Sequence, residues 1–451
     1  MKEKVPSPAP SSLQGRKPAL SVIFMTVFIY LVGFGIIIPL IPLLSRDYGA
    51  TSLESGLLMS CYSLMQFVFA PFWGQLSDRF GRRPILLFCL FAEIFCYLLF
   101  AFSDSLLLLF VARSLSGFFG ASLSTASAYI SDITPRAERS KGMALIGVAF
   151  GLGFMIGPAL GGLLSQAGEW ISLQGGASLH PGEFSHFVSR LPVTLPSLFV
   201  AFLCLVNFLI GLKFLAESKG YLSGETHSQQ RSRRLLMVWS SLKQKTLGTV
   251  LVIFFIASFA MSSMEATFIL FMRDKFQWTV KDISYGFAYI GLIMVLTQGF
   301  FARRMLPRWG EKQVMTFGFV LLTLGFFMIG LSDTIVAVTL AVTLMSFGSA
   351  LINPAALGSI SLLSPSDEQG HTMGVTQSLS SLGRILGPAL GGYLYHLLSQ
   401  TKNSAYSAAP FIFSGLLGLI GLFMIFINYS GLPESAKRRS GQSKLESSHG
   451  S

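Results

Sequence analysis

At 451 residues the chain is long enough for two or three soluble domains, but 52% hydrophobic and 12% charged residues do not describe a soluble protein, which carries about 25% charged residues. The formal net charge of +12 raises nucleic-acid binding, and the placement of the basic residues excludes it in favour of a membrane. Cys61, Cys89, Cys96 and Cys204 all lie in apolar runs, where they act as small hydrophobes and offer neither a disulfide framework nor metal-ligand spacing.

In chain order, residues 1–19 form a polar head rich in small residues and proline, unable to bury enough surface to order itself. A bilayer core about 30 Å thick takes about 20 apolar residues per helix, and twelve such runs follow. Leu20–Leu44, Leu53–Ser77, Ile85–Phe102, Leu106–Ile130, Gly142–Ser165 and Thr194–Leu215 fall within a first bundle over 20–215. A polar stretch over 216–245, with Ser228–Arg234 at its centre, reads as a linker. Thr246–Met272, Ile283–Ala302, Gln313–Leu331, Ile335–Leu362, Met373–Leu398 and Tyr406–Tyr429 fall within a second bundle over 246–430, and 431–451 is a polar tail. The expected fold is therefore an all-α integral membrane protein of twelve transmembrane helices in two six-helix pseudo-repeats. The first run is too long for a signal-peptide core and lacks a small-residue cleavage site, so it stays as span 1.

With the head placed in the cytoplasm, 25 of the 33 Lys and Arg fall on the inner side and six on the outer, while Arg113 and Arg384 lie within spans. That asymmetry is the positive-inside pattern, and it assigns the basic excess to insertion topology and anionic lipid headgroups, not to nucleic acid. An even number of spans leaves both termini cytoplasmic, in a cell membrane.

Gly-Pro-Ala-Leu-Gly-Gly occurs at Gly157–Gly162 and again at Gly387–Gly392, an offset of 230 that also aligns Gly153 with Gly383 and Met143 with Met373. A second pairing, at an offset of 225, sets Gly74 and its basic loop against Gly299 and Arg303-Arg304. Two like-sense repeats supply a midplane site at their interface and an alternating-access carrier. The outer segment Gln166–Val193, with Trp170, His180 and His186, reads as a solvated loop.

Three segments carry chemistry. The inner loop after span 2 runs Gly74-Gln75-Leu76-Ser77-Asp78-Arg79-Phe80-Gly81-Arg82-Arg83-Pro84. Gly74 permits close helix approach, Gly81 a tight turn, and Asp78 with Arg79 and Arg82 an ion-paired latch in which Asp132 is a further partner; the bland reading is a topology anchor with a helix cap. Span 4 buries Arg113, which costs at least about 2.5–3.5 kcal/mol at membrane depth and needs a wet or protein-lined surrounding, snorkelling to the outer interface being the alternative. Span 5 sets Gly153, Gly157, Pro158, Gly161 and Gly162 on small-residue stripes with a proline kink, matched in the second half by Gly387 and Pro388.

The inner loop resembles the signature loop of the major facilitator superfamily, and the Arg113 segment resembles that family's second signature. Gly153-x-x-x-Gly157-Pro158-x-x-Gly161-Gly162 and the span 1 stretch Gly33–Pro42 are similar to the twelve-span drug:proton antiporter branch of tetracycline and multidrug exporters. The resemblance implies that Asp78, Arg79 and Arg82 gate the carrier, that Arg113 serves proton coupling, and that spans 1, 4, 7 and 10 line the cavity. It also marks a departure, because exporters of this branch often place an acid in span 1 and this chain has none.

The remaining membrane-depth acids are Glu265 in span 7 and Glu93 in span 3. An apolar interior favours the neutral form of a carboxyl, which a reversible proton carrier uses. Glu265, on a cavity-lining span, is the first candidate; Glu93, on the stripe of Cys89 and Tyr97, reads as a structural acid ahead of a proton site. Arg384 is a partner for an acid across the interface. Met261, Met264, Phe268, Gln298, Asn353 and Gln377 are the candidate substrate wall, suited to variable amphipathic molecules. The leading function is export of hydrophobic or amphipathic compounds in exchange for protons, by a chain working as a monomer with no cofactor or metal. The alternatives are a proton-coupled importer or facilitator of a metabolite, and a non-transporting receptor or channel. The sequence has no Gly-Lys dipeptide and hence no P-loop, so the chain is neither an ATP-driven pump by itself nor an enzyme by expectation.

Overall fold

The computed structural model describes residues 16–134, 139–176, 190–218, 245–364, 369–399 and 408–429, and all regular structure among them is helical. Residues 1–15 of the head, nearly all of the linker, the tail, His180 and His186 lie outside the described residues, and the last four residues of the head, 16–19, are the first turn of the span 1 helix. Nine helical stretches there are long and apolar enough to cross a membrane, and one of them, Val280–Leu331, is 52 residues, more than twice the needed length. Its break at Gly310 and the further long helices Arg139–Gly176 and Gln369–Ser399 make the set consistent with twelve spans.

The span ends show why each helix begins where it does. Thr51 and Thr279 open spans 2 and 8 with capping boxes, each hydroxyl accepting from the backbone N–H of Glu54 or Asp282, whose carboxylate accepts from the threonine N–H in return. Ser105 and Thr334 cap spans 4 and 10 after the two shortest links.

Four features depart from the sequence reading. Span 1 is two helices, Arg16–Ile37 and Leu40–Asp47, because Pro39 has no N–H to continue the first. Span 4 is likewise split into Leu106–Gly120 and Leu123–Ile133. Span 5 continues as helix to Gly176, so the first eleven residues of the predicted outer loop 166–193 are helical, Trp170 among them and exposed. The turn between spans 8 and 9 sits at Gly310, with φ 77, as the turn between spans 2 and 3 sits at Gly81, with φ 103; both angles suit glycine. The structural counterpart of Arg79-Phe80-Gly81 is therefore Arg308-Trp309-Gly310, and Gly299 instead lies in the π-helical turn Thr297–Ala302. The pairing of Gly74 with Gly299 is corrected accordingly.

Between the two halves the main contacts are span 2 with span 11 and span 5 with span 8. The glycine repeats set them. A methyl on Gly153 would lie 2.8 Å from Leu31 Cβ, and one on Gly157 would lie 2.7 Å from the Val32 carbonyl oxygen, so span 5 rests directly on span 1. Gly383 and Gly387 hold span 11 against Phe259 of span 7 in the same way. The adjacent glycines face the other half, Gly162 toward Ser284 of span 8 and Gly392 toward Ser52 of span 2. One hexapeptide, used twice, thus packs its helix against its own half and across the seam. Phe88, Phe91, Phe95, Phe423 and Phe426 remain exposed on the perimeter, where a bilayer would receive them.

Candidate functional site

On the side of the Gly81 turn, called here the loop side, Arg82 holds the latch together. Its guanidinium pairs with Asp78 at 2.6 Å and with Asp132 at 3.1 Å, and donates to the Ser77 hydroxyl at 2.6 Å. Ser218 also donates to Asp132. Glu217, which the sequence reading passed over, accepts from the backbone N–H groups of Arg82 at 2.9 Å and Arg83 at 3.2 Å, placing a carboxylate at the N-terminus of span 3. The latch is thus built from spans 2, 3, 4 and the end of span 6, all in the first half. Arg79 stacks over the Phe80 ring. Gly74 has nothing within 4 Å of where its side chain would be, so the expected close helix approach at Gly74 is absent here; its carbonyl accepts from Ser77 instead.

On the far side the halves are joined by two crossed ion pairs. Arg46 at the end of span 1 pairs with Asp274 at the end of span 7, and Arg273 pairs with Asp47 at 3.2 Å. Tyr395 of span 11 donates to the second oxygen of Asp274 at 2.7 Å. The Arg-Asp dipeptide occurs at the same place in both repeats, and a pseudo-twofold axis turns that repetition into reciprocal pairing. The repeated dipeptide is legible in the sequence, but its reciprocal pairing depends on how the two halves are set against each other.

At membrane depth the four charged residues group in two. Glu265 and Arg384 are half-buried and lie within electrostatic reach of one another without closing an ion pair. Arg384 also feels Tyr30 and Tyr62 of the first half, which places it at the seam. Its hydrogen bond, to Ser381 at 3.4 Å, is within its own helix. Glu93 and Arg113 are fully buried, with 1% and 2% of their surface exposed. The Arg113 guanidinium lies 4.4 Å above the Tyr62 ring, a cation–π contact, so it does not snorkel to the interface.

Of the expected substrate wall, Met261, Gln298 and Asn353 are half-buried and Gln377 is exposed. Met264 and Phe268 sit in the packed core, Phe268 edge-on to Phe287. Gln298 lies beside Gly151 of span 5 across the seam. A groove of about 600 Å³ between spans 3 and 4, lined by Phe95, Leu99, Phe102 and Phe119 among others, is apolar and opens on the perimeter.

The sequence and its helical fold are matched by known proteins. The family profile of the Major Facilitator Superfamily matches residues 23–307 and 250–449. The chain belongs to the Major Facilitator Superfamily. Among its relatives in the superfamily, the class B tetracycline resistance protein of Escherichia coli is 31% identical over 81% of this chain and 85% of its own. Multidrug resistance protein 2 of Bacillus subtilis (strain 168) is 26% identical over 92% of this chain and 96% of its own. The crystal structure of the human organic anion transporter MFSD10 (TETRAN) superposes with a TM-score of 0.65 at 25% identity, covering 91% of this chain and 99% of that one. The chain is a multi-pass membrane transporter of small molecules from the branch of this superfamily that holds the tetracycline- and multidrug-resistance proteins.

Proposed function

We propose that this transporter exports hydrophobic or amphipathic compounds in exchange for protons, by alternating access, with Glu265 as the proton carrier. The observation that carries the reading is the half-buried pair Glu265 and Arg384 at the seam, near enough to influence one another and not closed into a salt bridge. A carboxylate in that setting attracts either a proton or a cationic group of a substrate, and an exchanger needs the two to compete. The gradient is large enough: about 1.36 kcal/mol per pH unit, and about 2.3 kcal/mol per charge per 100 mV.

The geometry also supports alternation. Crossed pairs close the far side, while the loop-side latch ties elements of the first half to one another and leaves the halves separable there. With the loop side in the cytoplasm, as the basic residues place it, this conformation faces inward. We place the chain in the cell membrane, with both termini cytoplasmic, its basic loops on anionic lipid and its working unit a monomer. Arg113 and the glycine motifs of spans 5 and 11 belong to the coupling machinery in this reading.

The test is transport in proteoliposomes with an imposed pH gradient, using tetracycline and ethidium as probes. Wild-type protein is expected to accumulate at least one of them in a protonophore-sensitive way, and Glu265→Gln to lose the pH-driven component while still inserting. Unaltered proton coupling in that variant removes the assignment. A second reading, a carrier of organic anions, draws on Arg384 and on the relative so described; uptake of fluorescein lost in Arg384→Gln, with no effect on ethidium, favours it.

A further inference from the structure

Among the buried polar atoms of the first half that have no hydrogen-bond partner among the described residues are both carboxylate oxygens of Glu93 and two guanidinium nitrogens of Arg113, Nε and Nη1. Unpartnered charge at this depth is expensive, so such a group is retained for what it binds or releases. Gly120 of span 4 shows what surrounds the carboxylate. A methyl built there would stand 3.3 Å from Glu93 Oε1 and 3.0 Å from the Tyr62 hydroxyl, and would collide with the Tyr30 hydroxyl. The two phenol hydroxyls are hydrogen-bonded to each other. A carboxyl from span 3 and hydroxyls from spans 1 and 2 therefore converge on one point, and only a residue without a side chain leaves that point open.

Tyr30 and Tyr62 lie within electrostatic reach of Arg384 as well as of Glu93, and span 2, which carries Tyr62, packs on span 11, which carries Arg384. The groups facing Glu93 are Arg113 of span 4, Tyr62 of span 2, Tyr30 of span 1 and Cys204 of span 6, with Cys89, Cys96 and Tyr97 on its own helix. Arg113 is the one cation among these. When Glu93 is ionised the two charges offset one another; when it is neutral, the Tyr62 face still supports the guanidinium.

We propose that Glu93 is a second proton-binding site, in the first half of the transporter, and that the Tyr30–Tyr62 hydroxyl pair is its connection to the central cavity. This deepens the proton-coupled reading above and rests on it. Proton uptake changes only O–H bonds. Tyr62 gives its proton to a Glu93 oxygen, directly after rotation of the carboxyl or through one bridging water. It takes the proton of Tyr30, and Tyr30 is restored from the cavity, leaving a neutral acid and two neutral phenols. Release runs in reverse. Each half then holds one exchangeable proton, Glu93 in the first and Glu265 in the second.

The experiment is infrared difference spectroscopy of the full chain reconstituted in lipid, titrated between about pH 9 and pH 5, where ordinary surface carboxyls remain largely ionised. The expected result is two protonated-carboxyl C=O bands that grow as pH falls, one lost in Glu93→Gln and the other in Glu265→Gln. Glu93→Asp guards against misfolding: it should move the first band and not abolish it. Tyr62→Phe and Gly120→Ala should each shift that band or its titration and leave the Glu265 band in place. If Glu93→Gln removes no band, Glu93 keeps one protonation state and the site is overturned. A Glu93 band identical in wild type and Tyr62→Phe overturns the connection. Neither readout needs a transported substrate, so failure of the carrier assignment at Glu265 is seen separately, as a missing second band.

Discussion

Glycine is the residue on which this protein's geometry turns, and the glycines differ in what they tolerate. A methyl on Gly157 would lie 2.7 Å from one backbone oxygen of span 1 and 2.8 Å from Gly35 Cα, neither of which can step aside alone. Gly157→Ala should therefore lower stability by about 1–3 kcal/mol, the usual range for overpacking, read as a lower unfolding temperature in detergent. Gly74→Ala meets open space and should leave that temperature unchanged. Equal effects of the two would refute the assignment of the span 5 motif to packing. The sequence pointed to both glycines by pattern. It could not rank them, because distance to a neighbouring backbone is not written in a motif.

At the scale of elements, the crossed pairs Arg46–Asp274 and Arg273–Asp47 tie span 1 to span 7 on one side only. Both pairs are partly exposed, so each alone contributes little, about 0–1 kcal/mol. Their value lies in state choice, since separating the far side breaks both together and also frees Tyr395 from Asp274. Arg46→Asp is expected to increase labelling of a cysteine placed at Met261 by a membrane-impermeant maleimide added from the far side. Adding Asp274→Arg should restore protection, because the swapped pair has the same geometry. Labelling that stays high in the double variant would remove the latch. The twelve runs themselves were legible, since about 20 apolar residues announce a span whatever their neighbours. Breaks at Pro39 and Ala121 and the helix beyond Ser165 were not, because backbone partners and packing decide them.

For the whole molecule, the central expectation is orientation. A cysteine introduced at Phe80, beside the Gly81 turn and exposed, should react with an impermeant maleimide in inverted vesicles and stay protected in intact cells. The opposite result would reverse the sidedness and with it the direction of transport. Two halves with the same turn glycine, the same caps and the same Gly-Pro-Ala-Leu-Gly-Gly helix make a molecule whose two sides are chemically distinct although its repeats are alike. The loop-side latch stays within one half, and the far-side latch joins both. In the alternating-access reading proposed above, that asymmetry gives the carrier one side to open first.

What the sequence determined alone were the terms set by solvent: the number and place of the apolar runs, the side that collects Lys and Arg, the duplication, and the four charges at membrane depth. Each follows from transfer between water and hydrocarbon, which depends on a residue's own chemistry and its near neighbours in the chain. Tertiary structure decided which of those charges meet. Glu93 reads from its span as a peripheral, structural acid, yet the fold brings its carboxyl to Tyr30, Tyr62 and Arg113 around the bare backbone of Gly120. Such a meeting depends on how closely four helices approach one another, a quantity fixed by packing across the bundle and carried by no single stretch of sequence.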